Sequence, residues 1–178
     1  YPDGIAAALL ARYFRKPFVV TARGTDISFI PRYAVPRRWI LWAAKHAKAS
    51  IGVCKALKEA LTDLGAESGK LHVMRNGVDL DRFHPMPRAL ARISLGWPDV
   101  PTLLAVGNLV ELKGHHLIME ALATLPGFRL VIAGAGPERK ALESLALKLG
   151  ISSSVQFAGA VAQSELYMYY SAANVLVL

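Results

Sequence analysis

Thr102-Leu-Leu-Ala-Val-Gly-Asn-Leu-Val-Glu-Leu-Lys-Gly114 is the stretch whose reading decides the fold. Residues 102–106 are almost continuously apolar, without alternation, as in a strand covered on both faces. Gly107 allows the chain to turn at the strand end. Lys113 and Gly114 stand where a helical pattern begins and runs to 125. Free N–H groups and the dipole at a helix start favour an anion there. A lysine adds a compact positive charge suited to phosphate. The lysine precedes its glycine, so the spacing is not that of a Walker loop. On these residues alone two readings stand, an anion-binding loop and a plain glycine turn followed by a solvated lysine.

The same strand–loop–helix rhythm extends in both directions. Downstream it predicts strand 129–133, loop 134–137, helix 138–149, strand 154–157, helix 163–173 and strand 174–178. Upstream it predicts helix 3–16, strand 18–21, loop 23–26, helix 36–48, strand 50–53, helix 55–64 and strand 71–74. An Asn76-Gly77 turn follows. Residues 78–101, with Pro85, Pro87, Pro98 and Pro101, interrupt the pattern. Apolar strands alternating with amphipathic helices imply an α/β fold of parallel sheets covered by helices. The expected organisation is one unit over 1–86, a proline-rich linker over 87–101 and a second unit over 102–178. The first residue is Tyr1, and the last five, Asn174 to Leu178, read as a buried strand. The expectation is a piece of a longer protein, with both units incomplete.

Composition excludes several classes. Apolar residues make up 53% and charged residues 19%, which excludes a disordered or low-complexity chain. The single cysteine, Cys54, excludes an internal disulfide framework and a cysteine zinc site. It ends an apolar strand and reads as a small core residue. No apolar run reaches the ~18–20 residues of a membrane span, and the expected location is the cytoplasm. Net charge is +8. Residues 1–58 hold eleven Lys/Arg against Asp3 and Asp26, whereas 59–178 hold ten against eleven acids. A basic first third attracts phosphate-bearing partners.

Strand-to-helix loops are where chemistry sits in open α/β sheets. Besides 107–114, Gly134-Ala-Gly-Pro137 begins like a dinucleotide fingerprint but has Arg139 at the third glycine position. Its glycines allow close backbone approach or form a tight turn. Arg23-Gly24-Thr25-Asp26 places an arginine after a buried strand, either for phosphate, with Asp26 orienting it or capping the following segment, or for an Arg–Asp pair closing the loop. His115 and His116 are adjacent, point in different directions and lack further metal partners. The segment 29–48 carries Trp39 and Trp42 among five Lys/Arg. It suits a membrane interface, a nucleic-acid surface or a solvated helix face.

Taken in order, VVTARGTD (19–26), RNGVDLDRFHP (75–85), VGNLVELKG (106–114), LVIAGAGPE (130–138), VQFAGAV (155–161) and LYMYYSAANVLVL (166–178) resemble the retaining, nucleotide-sugar-dependent glycosyltransferases of group 1, family 4. The resemblance implies the GT-B fold, two Rossmann-like domains with acceptor bound mainly to the first and donor to the second. It implies transfer from a nucleotide-diphosphate sugar to a glycan or lipid-linked acceptor with retention of configuration. It implies no metal and no cofactor, because basic groups and a helix N-terminus hold the diphosphate. Lys113 matches the family's phosphate-binding lysine and is expected to act on the leaving group, with Arg23 as the second catalytic candidate. Gly107, Asn108, Gly114, Gly134, Gly136 and Val161 match the donor side. Arg23, Gly24, Asp26, Asn76 and Gly77 match the acceptor side of the cleft. Asn108 stands where the family commonly has arginine, and Arg23-Gly24 where many members have His-Gly. The family's acidic Glu-Gly-Phe-Gly segment would follow Leu178, so residues 1–178 alone are expected to be inactive.

The expected function is therefore that of a glycosyltransferase fragment. The alternative is a non-catalytic nucleotide-binding or basic interaction module. An anionic membrane surface, met through basic residues 32–48 on the inner face of the membrane, is an expected partner. Nucleic acid is disfavoured, because charge alone supports it.

Overall fold

A computed structural model describes residues 1–178. The chain divides into two units, Tyr1–Gly77 and Val78–Leu178.

The first unit runs α1 (Asp3–Tyr13), β1 (Val19–Ala22), α2 (Thr25–Ser28), α3 (Ala34–His46), β2 (Ala49–Gly52), α4 (Lys55–Asp63) and β3 (Leu71–Val73). Its parallel sheet has the order β1-β2-β3. Leu57 and Leu61, one helical turn apart on α4, bury against Ala22, Ile27 and Leu71. Cys54 is not a core residue. It is exposed at the N-cap of α4, because β2 already ends at Gly52. Nor does Asn76-Gly77 form a turn. No backbone hydrogen bond closes across it, since no antiparallel partner strand follows and the chain passes there into the second unit.

The second unit runs α5 (Arg88–Leu95), β4 (Thr102–Val106), α6 (His115–Leu122), β5 (Arg129–Ala133), α7 (Arg139–Lys148), β6 (Val155–Gly159), α8 (Leu166–Ala172) and β7 (Val175–Val177). The sheet is parallel, in the order β6-β5-β4-β7. Central β5 is covered on both faces, and Leu130, Val131 and Ile132 are fully buried. Leu130 and Ile132 face one core with Leu109, Met119 and Leu142. Val131 faces the other, with Ala91, Trp97 and Ala172.

Two expectations change here. The boundary lies at Gly77/Val78, not at 86, and 87–101 is not a linker. Pro87 stands just before α5, where a missing N–H costs nothing, and Gly96 in the left-handed region (φ 63°) ends the helix. The helix buries Ala91 and Arg92, and Arg92 donates to the Ala172 carbonyl. Terminal β7 is not a buried strand. It pairs with β4 alone at the sheet edge, leaving Val175 and Leu176 half exposed.

Candidate functional site

In the second unit the chain moves from β4 through β5 to β6 in one direction. It then crosses back to lay β7 on the other side of β4. Such a reversal opens a crevice beyond the carboxyl ends of the strands, where open α/β sheets bind ligands. The loop leaving β4 is 107–114. Val106 pairs with Ala133 across the sheet, so the loops after β4 and β5 emerge side by side.

The two loops are laced by backbone. Gly107 N–H donates to the Ala133 carbonyl (3.0 Å), Leu109 N–H to Ala135 (2.9 Å), and Glu138 N–H to Leu109 (3.1 Å). This lacing explains both glycines of Gly134-Ala-Gly136. A Cβ at Gly134 would overlap the Gly107 carbonyl, and one at Gly136 would overlap the Leu109 backbone. Here glycine serves close approach of backbone to backbone. Gly134 N–H also reaches the Gly159 carbonyl at the end of β6 (2.7 Å). Leu109, fully buried, anchors the first loop in the core.

Gly107, at φ 158°, holds a backbone conformation that residues with side chains rarely adopt, as a chain turning at a strand end requires. Gly114 makes a second turn, in the left-handed region (φ 65°), between the single turn Glu111–Lys113 and α6. The absence of a side chain at Gly107 also leaves room for Lys113. The lysine's Cε and Cδ lie 3.7 and 3.8 Å from where a Gly107 Cβ would stand. Lys113 is exposed and forms no ion pair. Next to it the His115 and His116 N–H groups, at the start of α6, have no acceptor within the chain. An unpaired lysine, unused helix-start donors and two glycines thus share the loop at the carboxyl end of β4. Such a set can accept an oxyanion such as a phosphate.

Among the remaining donor-side candidates, Asn108 is exposed and its side chain makes no hydrogen bond. Val161, after β6, is half-buried against the core that contains Ala133 and Ala172. Arg139 lies over the Phe157 ring (4.4 Å) and pairs with Glu143. The sequence reading missed one residue. His115 is buried, and its Nε2 lies 3.3 Å from the Asn108 carbonyl. It ties the loop to α6. A buried histidine of this kind leaves no signal in spacing.

Arg23, Gly24, Asp26, Asn76 and Gly77 all belong to the first unit. Asp26 does not pair with the Arg23 guanidinium. Its carboxylate accepts the Gly24 N–H (2.8 Å) and the Arg23 N–H (3.3 Å), closing the loop through backbone. The Arg23 side chain stays free of any carboxylate. Arg23 and Asp26 line a cavity of about 420 Å³ with residues of α1, β1 and α3. Asn76 and Gly77 are exposed and lie outside it.

Comparison with known proteins agrees with this geometry. The family model described as glycosyl transferases group 1 matches residues 88–178, and that of glycosyltransferase family 4 matches residues 1–82. A D-inositol 3-phosphate glycosyltransferase of Mycobacterium tuberculosis is 36% identical over 121 residues, 64% of this chain and 25% of that protein. The structure of Anabaena HepE in complex with UDP superposes with a TM-score of 0.86 at 22% identity, over 97% of this chain and 49% of that one. Sucrose-phosphate synthase from Thermosynechococcus elongatus gives 0.80 at 22% identity, over 97% and 47%. These structures share the fold of two parallel-sheet, Rossmann-like units. The chain spans about a quarter of the length of the curated relatives it matches. With the lysine-bearing loop, the sheet order and the family match over 88–178 in agreement, the chain belongs to the group 1 glycosyltransferases.

Proposed function

We propose that the second unit binds the diphosphate of a nucleotide-sugar donor and that the whole protein transfers the sugar to a glycan or lipid-linked acceptor with retention of configuration. The observation that carries this reading is the placement of unpaired Lys113 against Gly107 beside the open start of α6. Charge grows on the departing diphosphate as the glycosidic bond breaks. A fixed ammonium and aimed N–H groups stabilise that charge without reorganising. Gly134 and Gly136 hold the neighbouring loop against this one, and Val161 follows the third strand toward the nucleotide side. The first unit serves the acceptor, with Arg23 as its catalytic candidate and Gly24, Asp26, Asn76 and Gly77 around the acceptor. The UDP bound to HepE and the inositol phosphate in the name of the M. tuberculosis relative support donor and acceptor classes of this kind.

Diphosphate binding is proposed to need no metal and no cofactor, its charge being met by Lys113 and backbone donors. The protein is proposed to work at the cytoplasmic face of a membrane. No helix is long and apolar enough to cross one. Phe29, Tyr33, Val35 and Trp39 are exposed beside Arg32, Arg37 and Arg38, a mixture suited to an anionic surface.

The test is a transfer assay on the full-length protein with a nucleotide-sugar panel. Product anomeric configuration would be read by NMR, with and without EDTA. Retained configuration and EDTA-resistant turnover are expected, and residues 1–178 alone should give no product. Inversion, or loss of turnover in EDTA, would contradict the reading. One observation favours a second reading, a nucleotide-binding module without catalysis. Asn108, uncharged and unengaged, stands beside the phosphate loop. Nucleotide binding without transfer by the full-length protein would select it.

A further inference from the structure

A second basic site lies in the first unit, at the other end of its sheet from Arg23 and Asp26. There the end of α1, the entry to β1 and the end of α3 enclose a cavity of about 300 Å³. Arg12, Arg15, Lys16, His46 and Lys48 line it around the Trp42 ring, and no acidic residue does. The Lys48 N–H donates to the Phe18 carbonyl (2.9 Å), which fixes the two strand entries side by side at its floor. Strand β1, four residues long, separates this end from the Arg23 loop by roughly 13 Å.

We propose that this cavity binds a phosphate-bearing anion, independently of the donor site on the second unit.

Three observations carry the proposal. First, none of the four Lys/Arg side chains is paired with a carboxylate. The dipoles of α1 and α3 account for Arg12 and His46, which sit in the last helical turns. They do not account for Arg15, Lys16 and Lys48, which lie beyond the helix ends. Second, Arg15 adopts φ 52° and is the one non-glycine residue of the chain in the left-handed region. It follows the C-cap of α1, a position that helices commonly fill with glycine. An arginine held there against its backbone preference marks a local conflict of the kind found at binding sites. Third, the histidine ring and the bend beside it are held in place. His46 Nδ1 lies 2.8 Å from the Trp42 carbonyl, leaving Nε2 unengaged. The Lys16 N–H is taken by the Ala11 carbonyl (2.8 Å), so the bend carrying Arg15 and Lys16 is closed. A planar guanidinium fork, two ammonium groups and an aromatic wall fit a phosphate monoester or a diphosphate. The volume is at the small end of ligand pockets.

The test uses the 178-residue chain carrying Lys113→Ala, so that the donor loop does not answer for the new site. Calorimetric titration with inorganic pyrophosphate is expected to give saturable one-to-one binding. Arg15→Gly with Lys48→Gln should weaken it about tenfold or more, while Lys55→Gln, an exposed lysine of α4 outside the cavity, leaves it unchanged. Arg15→Gly removes the charge and relaxes the backbone, so lost binding is not lost folding, and circular dichroism checks that. A second arm sediments the protein with phosphatidic acid vesicles. Capture that needs Arg15 and Lys48 and is competed by pyrophosphate assigns the anion to a lipid headgroup. Pyrophosphate binding without such capture assigns it to a soluble phosphate. Absence of saturable binding, or an equal loss in Lys55→Gln, overturns the proposal and leaves only diffuse surface charge.

Discussion

Lys113 and Gly134 do different work at one loop edge, and two substitutions separate them. Gly134→Ala drives a methyl group into the Gly107 carbonyl and should destabilise the chain by about 2–4 kcal/mol, read by urea unfolding. An unfolding midpoint equal to that of the parent would show that the loops yield freely. Lys113 is exposed and unpaired, so its removal should leave that midpoint unchanged. His115→Ala removes the tie to the Asn108 carbonyl and should cost about 1–3 kcal/mol. It should also speed hydrogen exchange at the Asn108 and Leu109 amides. The place of Lys113, in a loop leaving an apolar strand, was legible in the sequence from the glycine and the hydrophobic run before it. His115 was not, because its role depends on which loop carbonyl the tertiary fold brings over α6. The role of the Asp26 carboxylate stayed open in the sequence for a related reason. An Asx-type closure and an ion pair share the same sequence, and backbone geometry chooses between them.

At the scale of elements, the alternation of apolar runs located all seven strands and the parallel character of both sheets. It misplaced the join because four prolines within 85–101 look like a linker. Proline is compatible with a helix that starts after it and a loop that contains it, and α5 lies between them. What secures α5 is Arg92, a buried residue that no periodicity announces. It donates to the carbonyls of Ala172 (3.1 Å) and Val100 (3.0 Å) and to Asn174 Oδ1 (2.8 Å). Asn174 Oδ1 also accepts the Thr102 N–H (2.9 Å). One network thus joins α5, the end of α8 and the start of β4. Its ion pair with Asp99 adds little, because Asp99 is 98% exposed and water screens it. Arg92→Met should therefore cost about 2–4 kcal/mol by stranding these acceptors, and Asp99→Asn less than about 1 kcal/mol. Equal losses in urea unfolding would place the stabilisation in the ion pair instead. Close to this network, the Arg129 guanidinium is lowered below its ordinary value by burial and then by Arg92. Its Nη1 is buried without a partner.

At the scale of the whole chain, charge follows the division into units. The first unit holds thirteen Lys/Arg against five Asp/Glu, and the second holds eight of each. The entire net charge of +8 therefore belongs to the unit proposed to face the acceptor and the membrane. Binding to anionic vesicles should fall steeply between low and physiological salt. Replacing Arg32, Arg37 and Arg38 by glutamine should lower it about tenfold or more. Equal binding to neutral vesicles would remove the electrostatic argument. The central claim concerns the other unit, and one measurement tests it most directly. Residues 1–178 carrying Arg15→Gly and Lys48→Gln, which removes the phosphate site proposed in the first unit, would be titrated calorimetrically with and without Lys113→Ala, using UDP, GDP and ADP and the matching monophosphates. At least one diphosphate should bind about tenfold more tightly than its monophosphate. That preference should survive EDTA and vanish in Lys113→Ala. A diphosphate preference that Lys113→Ala leaves intact would contradict the assignment of the loop at 107–114 as the diphosphate site.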